Sequence, residues 1–114
     1  MKIQLIKDKI SKLDVERAAR SSFGEMVKAV IDIEKGIMTL GGGLHADGEV
    51  LLLQGGSKQE NLWGINIFPK RRKDEWIEFT ALINIRPNQN NRSMEIQSPD
   101  IRVKIKKIVN GLIE

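Results

Sequence analysis

Residues Gly41 to Ile67 read GGGLHADGEVLLLQGGSKQENLWGINI, and the fold class turns on the middle of that stretch. It carries the chain's only histidine, a glycine triplet, a second Gly-Gly pair and one of the two tryptophans. Val50–Leu53 within it is the longest apolar run. Read as a strand, Val50–Leu53 is a short buried run, and His45, Asp47 and Glu49 share a face. Read as a helix, Ala46, Val50 and Leu53 share a face, His45 and Glu49 meet at i and i+4, and Gly55 supplies the stop. Length favours the helix. We therefore read Leu44–Gln54 as helical, following a sheet broken by Gly41-Gly42-Gly43 and preceding a strand over Leu62–Phe68.

Working towards the N-terminus, Ile37–Leu40 is a strand. It is joined through a three-residue loop, Glu34-Lys35-Gly36 with Gly36 left-handed, to an alternating segment from Glu25 to Glu34. Val27, Ala29, Ile31 and Ile33 share one face of that segment. Before it, Ser11 is a good N-cap with Asp14 three residues on, and Ile10 and Val15 have the spacing of a hydrophobic staple. Val15, Ala18, Ala19, Ser22 and Phe23 form one narrow stripe, giving a helix from about Lys12 to Ser22 that ends at Gly24. Lys2–Ile6 alternates as a first strand.

Towards the C-terminus, Pro69 stops the Leu62–Phe68 strand. Glu75–Arg86 is the longest alternating run, with Ile77, Phe79, Ala81, Ile83 and Ile85 pointing one way. Trp76, Glu78, Thr80, Leu82, Asn84 and Arg86 point the other way. Pro87 to Asn91 is turn chemistry, and Arg92–Gln97 returns as a strand. Ser98-Pro99-Asp100 opens a last helix with a core stripe of Ile101, Ile105, Ile108, Val109 and Leu112. The order β-α-β-β-α-β-β-β-α predicts an α+β, two-layer domain. Its mainly antiparallel sheet of about six strands is covered on one face by the helices.

A chain of 114 residues, 40% hydrophobic and 30% charged, is expected to form a single domain over 1–114. No apolar run approaches the roughly 18 residues of a membrane span, so no membrane association is expected. The early residues alternate and are soon charged, unlike a secretory signal. The absence of cysteine excludes disulfides and thiolate chemistry and fits a cytoplasmic location. The net charge of +4, from 19 basic and 15 acidic residues, permits a polyanion partner without requiring one.

Five stretches carry a resemblance: DIEKG (Asp32–Gly36), LHAD (Leu44–Asp47), GSKQENLWGINI (Gly56–Ile67), EWIEFTALINIRP (Glu75–Pro87) and NRSMEI (Asn91–Ile96). Through them nearly the whole chain resembles a family of small prokaryotic, bacterial and archaeal, cytoplasmic domains of unknown function. The resemblance implies a prokaryotic cytoplasmic protein and transfers no catalytic residue.

Three constellations are candidates for function. His45 with Asp47 and Glu49 has the residue types of a general base with orienting carboxylates. No second histidine and no cysteine completes a usual metal site, so neither metal nor cofactor is expected. The polar side of the strands, with Asn66, Asn84 and Arg86, continues into Asn88, Asn90 and Arg92 of the turn, a candidate ligand surface. Two asparagines in I-N-I settings ask for a reason, because asparagine is depleted in strands. Lys70-Arg71-Arg72-Lys73 forms a basic loop, and Lys104, Lys106 and Lys107 lie on the last helix. Clustered cations suit phosphate, but the chain has few aromatics for base stacking. The leading expectation is a non-catalytic binding domain for a partner protein or an anionic ligand, with a homodimer as a further possibility. The alternatives are a small hydrolase-like enzyme using His45, and a nucleic-acid binder working through Lys70–Lys73.

Overall fold

The structure is a computed structural model describing residues 2–114. Five strands form one sheet in the order β1-β3-β2-β4-β5, every neighbouring pair antiparallel. They are β1 (Ile3–Ile6), β2 (Val27–Asp32), β3 (Ile37–Gly41), β4 (Leu62–Ile67) and β5 (Ile77–Glu78). The helices are α1 (Lys12–Arg20), α2 (His45–Gln54) and α3 (Pro99–Leu112). The protein is α+β, as the pattern of elements predicts.

The helix starts follow their sequence signals. Ser11 accepts a hydrogen bond from the Asp14 N–H at 3.1 Å, and Ser98 accepts one from the Ile101 N–H at 3.3 Å. The hairpin between β2 and β3 is one residue longer than expected, with Ile33–Gly36 outside the strands and Gly36 left-handed at φ 69°. The buried Asp32 carboxylate stabilises it, accepting from the Glu34 and Lys35 N–H groups at 2.9 Å each. Its other oxygen accepts from the Ser57 hydroxyl at 2.7 Å, tying the segment after α2 to the turn.

The helices do not share one face of the sheet. Val27, Ala29 and Ile31 of β2 join Trp63, Ile65 and Ile67 of β4 in a core with Val15 and Ala19 of α1 and Ile105 and Val109 of α3. Val30 and Leu62, pointing the opposite way, pack with Leu52 of α2 and with Ile83. The face expected to be bare is therefore covered by this chain's own α2 and by residues 81–84. β4 is buried along its entire length as a result.

Further expectations need correction. α2 does not bury Ala46, Val50 and Leu53; it buries His45, Gly48 and Leu52. Gly48 decides this, because a Cβ there would overlap Thr39 Oγ1 and press on Val30. The helix approaches the sheet through its glycine, which turns Val50 and Leu53 outward, 50% and 39% exposed. The long run Glu75–Arg86 is likewise not a continuous strand. Pairing with β4 stops at Glu78, and the chain closes into short 3-10 turns at Leu82–Asn84 and Pro87–Gln89. Residues 91–96 return beside it only through isolated bridges, Thr80 with Glu95 and Arg86 with Asn91. Trp76, expected on the polar side, is buried in the core just before β5, its indole N–H donating to the Arg71 carbonyl at 2.7 Å.

Candidate ligand-binding cleft

Gly64 in β4 is where three segments meet. A Cβ there would lie 2.5 Å from the Ala81 methyl and 3.1 Å from both His45 Cδ2 and Ile83 Cγ1. The missing side chain lets the imidazole and the Leu82–Asn84 turn settle onto the strand. His45, the first residue of α2, is buried, with Nε2 2.8 Å from the Ile65 carbonyl oxygen. A carbonyl only accepts, so Nε2 carries the proton, and Nδ1 is the basic nitrogen of the neutral ring. Burial pushes the imidazole below its ordinary pKa, and the Lys28 charge acts in the same direction. The Ile65 carbonyl and the Asn66 amide oppose them.

Beside this ring the register aligns Lys28, Asn66 and Glu78 across β2, β4 and β5. Asn66 Nδ2 donates to Glu78 Oε1 at 2.8 Å and to the Thr80 carbonyl at 3.3 Å. Its Oδ1 is buried and has no hydrogen-bond partner among the described residues. The row and His45 form the floor of a cleft of about 490 Å³, with apolar walls from Met26, Leu44, Ala46, Ala81, Leu82, Ile83 and Met94. Leu44, Leu82 and Met94 remain 60%, 71% and 41% exposed at its edge. Leu44 also occupies the N-cap of α2 and supplies no side-chain cap, so one wall is the uncapped start of a helix.

The residues singled out from sequence are distributed differently. His45, Asp47 and Glu49 do not converge. Asp47 is exposed, and Glu49 pairs with Arg86 at 3.3 Å in a bridge whose side chains are only 13% and 8% exposed. Among the described residues, no three His, Asp or Glu side chains gather as metal ligands. Burial lowers the pKa of the Arg86 guanidinium, and Glu49 pulls it back up. Arg86 Nη1 donates to the Gln59 carbonyl at 2.9 Å, and Arg86 Cζ lies 4.9 Å from the Trp63 ring centroid. Asn84 is fully buried, bonded to Gly64 and to the Met94 carbonyl. Arg86 and Asn84 are internal wiring. Asn88, Asn90 and Arg92 are exposed around the turn, and Asn90 is left-handed at φ 59°. Of the predicted polar surface, only Asn66 reaches the cleft.

In the basic loop, Arg72 bridges Asp74 and Glu75 at 3.4 and 2.9 Å, and Arg71 lies over Phe68 at 3.6 Å. Lys70 and Lys73 form no ion pair among the described residues. The cleft's own residues Lys28, Glu78 and Thr80 fall on the polar sides of their segments in sequence. Only the strand register shows that they are neighbours.

Residues 4–112 match the family described as "Protein of unknown function (DUF5674)", and the chain belongs to that family. No curated protein and no solved structure matches it. None of the described helices is long and apolar enough to cross a membrane.

Proposed function

We propose that this member of a family of unknown function is a non-catalytic binding domain. Its ligand is an elongated small molecule with an apolar body and a polar end that meets the Lys28–Asn66–Glu78 row. One observation carries the reading: an apolar-walled concavity, rimmed by exposed Leu44, Leu82 and Met94, holds a row of polar groups in which His45 and Asn66 are buried, Lys28 is half-buried and Glu78 is exposed. Ligand sites have this form, with apolar walls for affinity and a few placed polar groups for orientation. Asn66 Oδ1, still without a partner, offers an acceptor in that row. A basic catalytic role for His45 has less support, since no carboxylate stands beside the ring to stabilise the imidazolium that proton abstraction would form, and burial disfavours that cation. We place the protein in the cytoplasm, on the strength of its cysteine-free composition.

The test uses 8-anilinonaphthalene-1-sulfonate, an apolar body with a charged end, as probe. Ala46 is an exposed wall residue, so Ala46→Trp obstructs the cleft without disturbing the core. The folded wild type is expected to bind one dye saturably, and A46W, with an unchanged thermal midpoint, to lose that binding. Dye binding that is absent, or unaffected by A46W, would overturn the proposal.

A further inference from the structure

We infer that the groove between β5 and α3, on the opposite face of the sheet from the cleft, is a second site, built for a phosphorylated small molecule. The inference is independent of the first cleft, from which β5 separates it: Glu78 lines one and Ile77 the other. The groove measures about 490 Å³, with Ile77 and Phe79 as apolar surfaces and Lys73, Arg102, Lys106 and Asn110 around them. It joins two basic patches that are about thirty positions apart in sequence and that each read alone as a solvated charge run.

The chemistry follows from how the cations are held. Arg102 Cζ lies 4.8 Å from the Phe79 ring centroid, and Lys106 Nζ lies 5.9 Å from the same centroid. Arg102 Nε donates to the Ile96 carbonyl at 2.6 Å. The guanidinium is thus fixed by an aromatic face and a backbone acceptor, while its two Nη groups have no hydrogen-bond acceptor among the described residues. Among the described residues, Lys73, Arg102 and Lys106 make no ion pair. The groove's one acid, Asp74, is engaged by Arg72 at 3.4 Å. Three cations gathered against one acid leave a net positive charge in the groove, and a bound dianion relieves the repulsion among them.

A planar fork with two free N–H groups matches two oxygens of a phosphate, and an ammonium takes the third. The groove exceeds what a bare phosphate fills, and Ile77 with the rim of Phe79 gives it an apolar side that suits a small organic body. A nucleic-acid strand fits less well. The single aromatic is already roofed by Arg102 and Lys106, so no series of stacking faces is available.

Inorganic phosphate, phenyl phosphate and a single-stranded RNA decamer are the probes, with binding followed by calorimetry and by NMR shifts of the Phe79 ring and Arg102 Nε. Phenyl phosphate is expected to bind about tenfold tighter than inorganic phosphate and to shift the Phe79 ring. Lys106→Gln and Lys73→Gln should each weaken it several-fold. Arg102→Lys should weaken it although the charge is kept. Lys104→Gln, on α3 but outside the groove's lining, should leave it unchanged. Equal affinity for both phosphates with shifts spread over all the surface cations would overturn the inference. So would tight RNA binding that Lys104→Gln and Lys73→Gln weaken alike, which would make the surface a polyanion patch.

Discussion

The Asn84 carboxamide pairs with both backbone polar groups of Gly64, its Oδ1 accepting from the N–H at 2.8 Å and its Nδ2 donating to the carbonyl at 2.9 Å. A side chain does here what the next residue pair of a strand would otherwise do. β4 continues past the point where β5 ends, yet its backbone is satisfied, because a carboxamide presents the same donor and acceptor as a peptide. Asn91 supports it from behind, donating to the Asn84 carbonyl at 2.7 Å. Asn84→Ala strands a buried N–H and a buried C=O, each costing on the order of 1–3 kcal/mol. We expect denaturant unfolding to show a loss of about 3 kcal/mol. A loss under about 1 kcal/mol would mean that water replaces the amide.

At Gly48 α2 lies so close to the sheet that a Cβ would overlap Thr39 Oγ1. Gly48→Ala should destabilise by about 1–3 kcal/mol through overpacking, against a gain of roughly 1 kcal/mol in helix propensity. Thr39 Oγ1 is buried and has no hydrogen-bond partner among the described residues, so Thr39→Ala removes the clashing atom at little polar cost. The double variant should recover most of the loss in a double-mutant cycle. Additive losses would show that the contact is not the source of the strain.

Breaking the Glu49–Arg86 bridge should be costly, because either partner alone is a buried charge. Glu49→Gln is expected to lower stability by about 3 kcal/mol. The packing of Arg86 against Trp63 predicts a second readout, a change in tryptophan emission in the native state. Full stability in E49Q would show that solvent reaches Arg86.

The lowered pKa of His45 makes stability depend on pH in a definite direction. The unfolded chain takes up the proton near the ordinary histidine value of about 6.5, and the folded chain only at lower pH. The contribution of the neutral ring is therefore complete above about 6.5 and is lost as pH falls from there towards the folded value. Unfolding free energies measured between pH 8 and 5 should decline below about 6.5 in the wild type, and this component of the decline should be absent in His45→Gln. An NMR titration midpoint for His45 above 6.5 would contradict the assignment.

The helices, their caps and the first hairpin were legible in the sequence because they rest on local chemistry. Ser11, Ser98 and Gly36 each act within a few residues of themselves. The 44–54 helix was legible from its length, but its buried face was not. The apolar count favoured Ala46, Val50 and Leu53, whereas close packing selected the face with no side chain, Gly48. The cleft was legible only in fragments. Asn66 stood out as a polar residue between isoleucines, but Lys28 and Glu78 looked like ordinary solvent-facing positions until the register placed them on either side of it. His45 lies in the cleft, apart from Asp47 and Glu49, with which it was grouped in sequence. Its neighbours come from β4 and β2, about twenty residues away in sequence, rather than from its own helix.

By itself the sequence determined the α+β class and the antiparallel pairing that its hairpin dictates. It also determined the ends of helices whose capping groups lie one turn away, since these follow from interactions between near neighbours along the chain. Tertiary structure decided which face each helix buries and where the alternating run after Trp76 stops being a strand. It also decided which polar side chains become internal wiring and which become the floor of a cleft. Those outcomes depend on volumes and hydrogen-bond partners brought together across the sheet, where a missing Cβ at Gly48 or Gly64 outweighs the hydrophobic pattern of the segment around it.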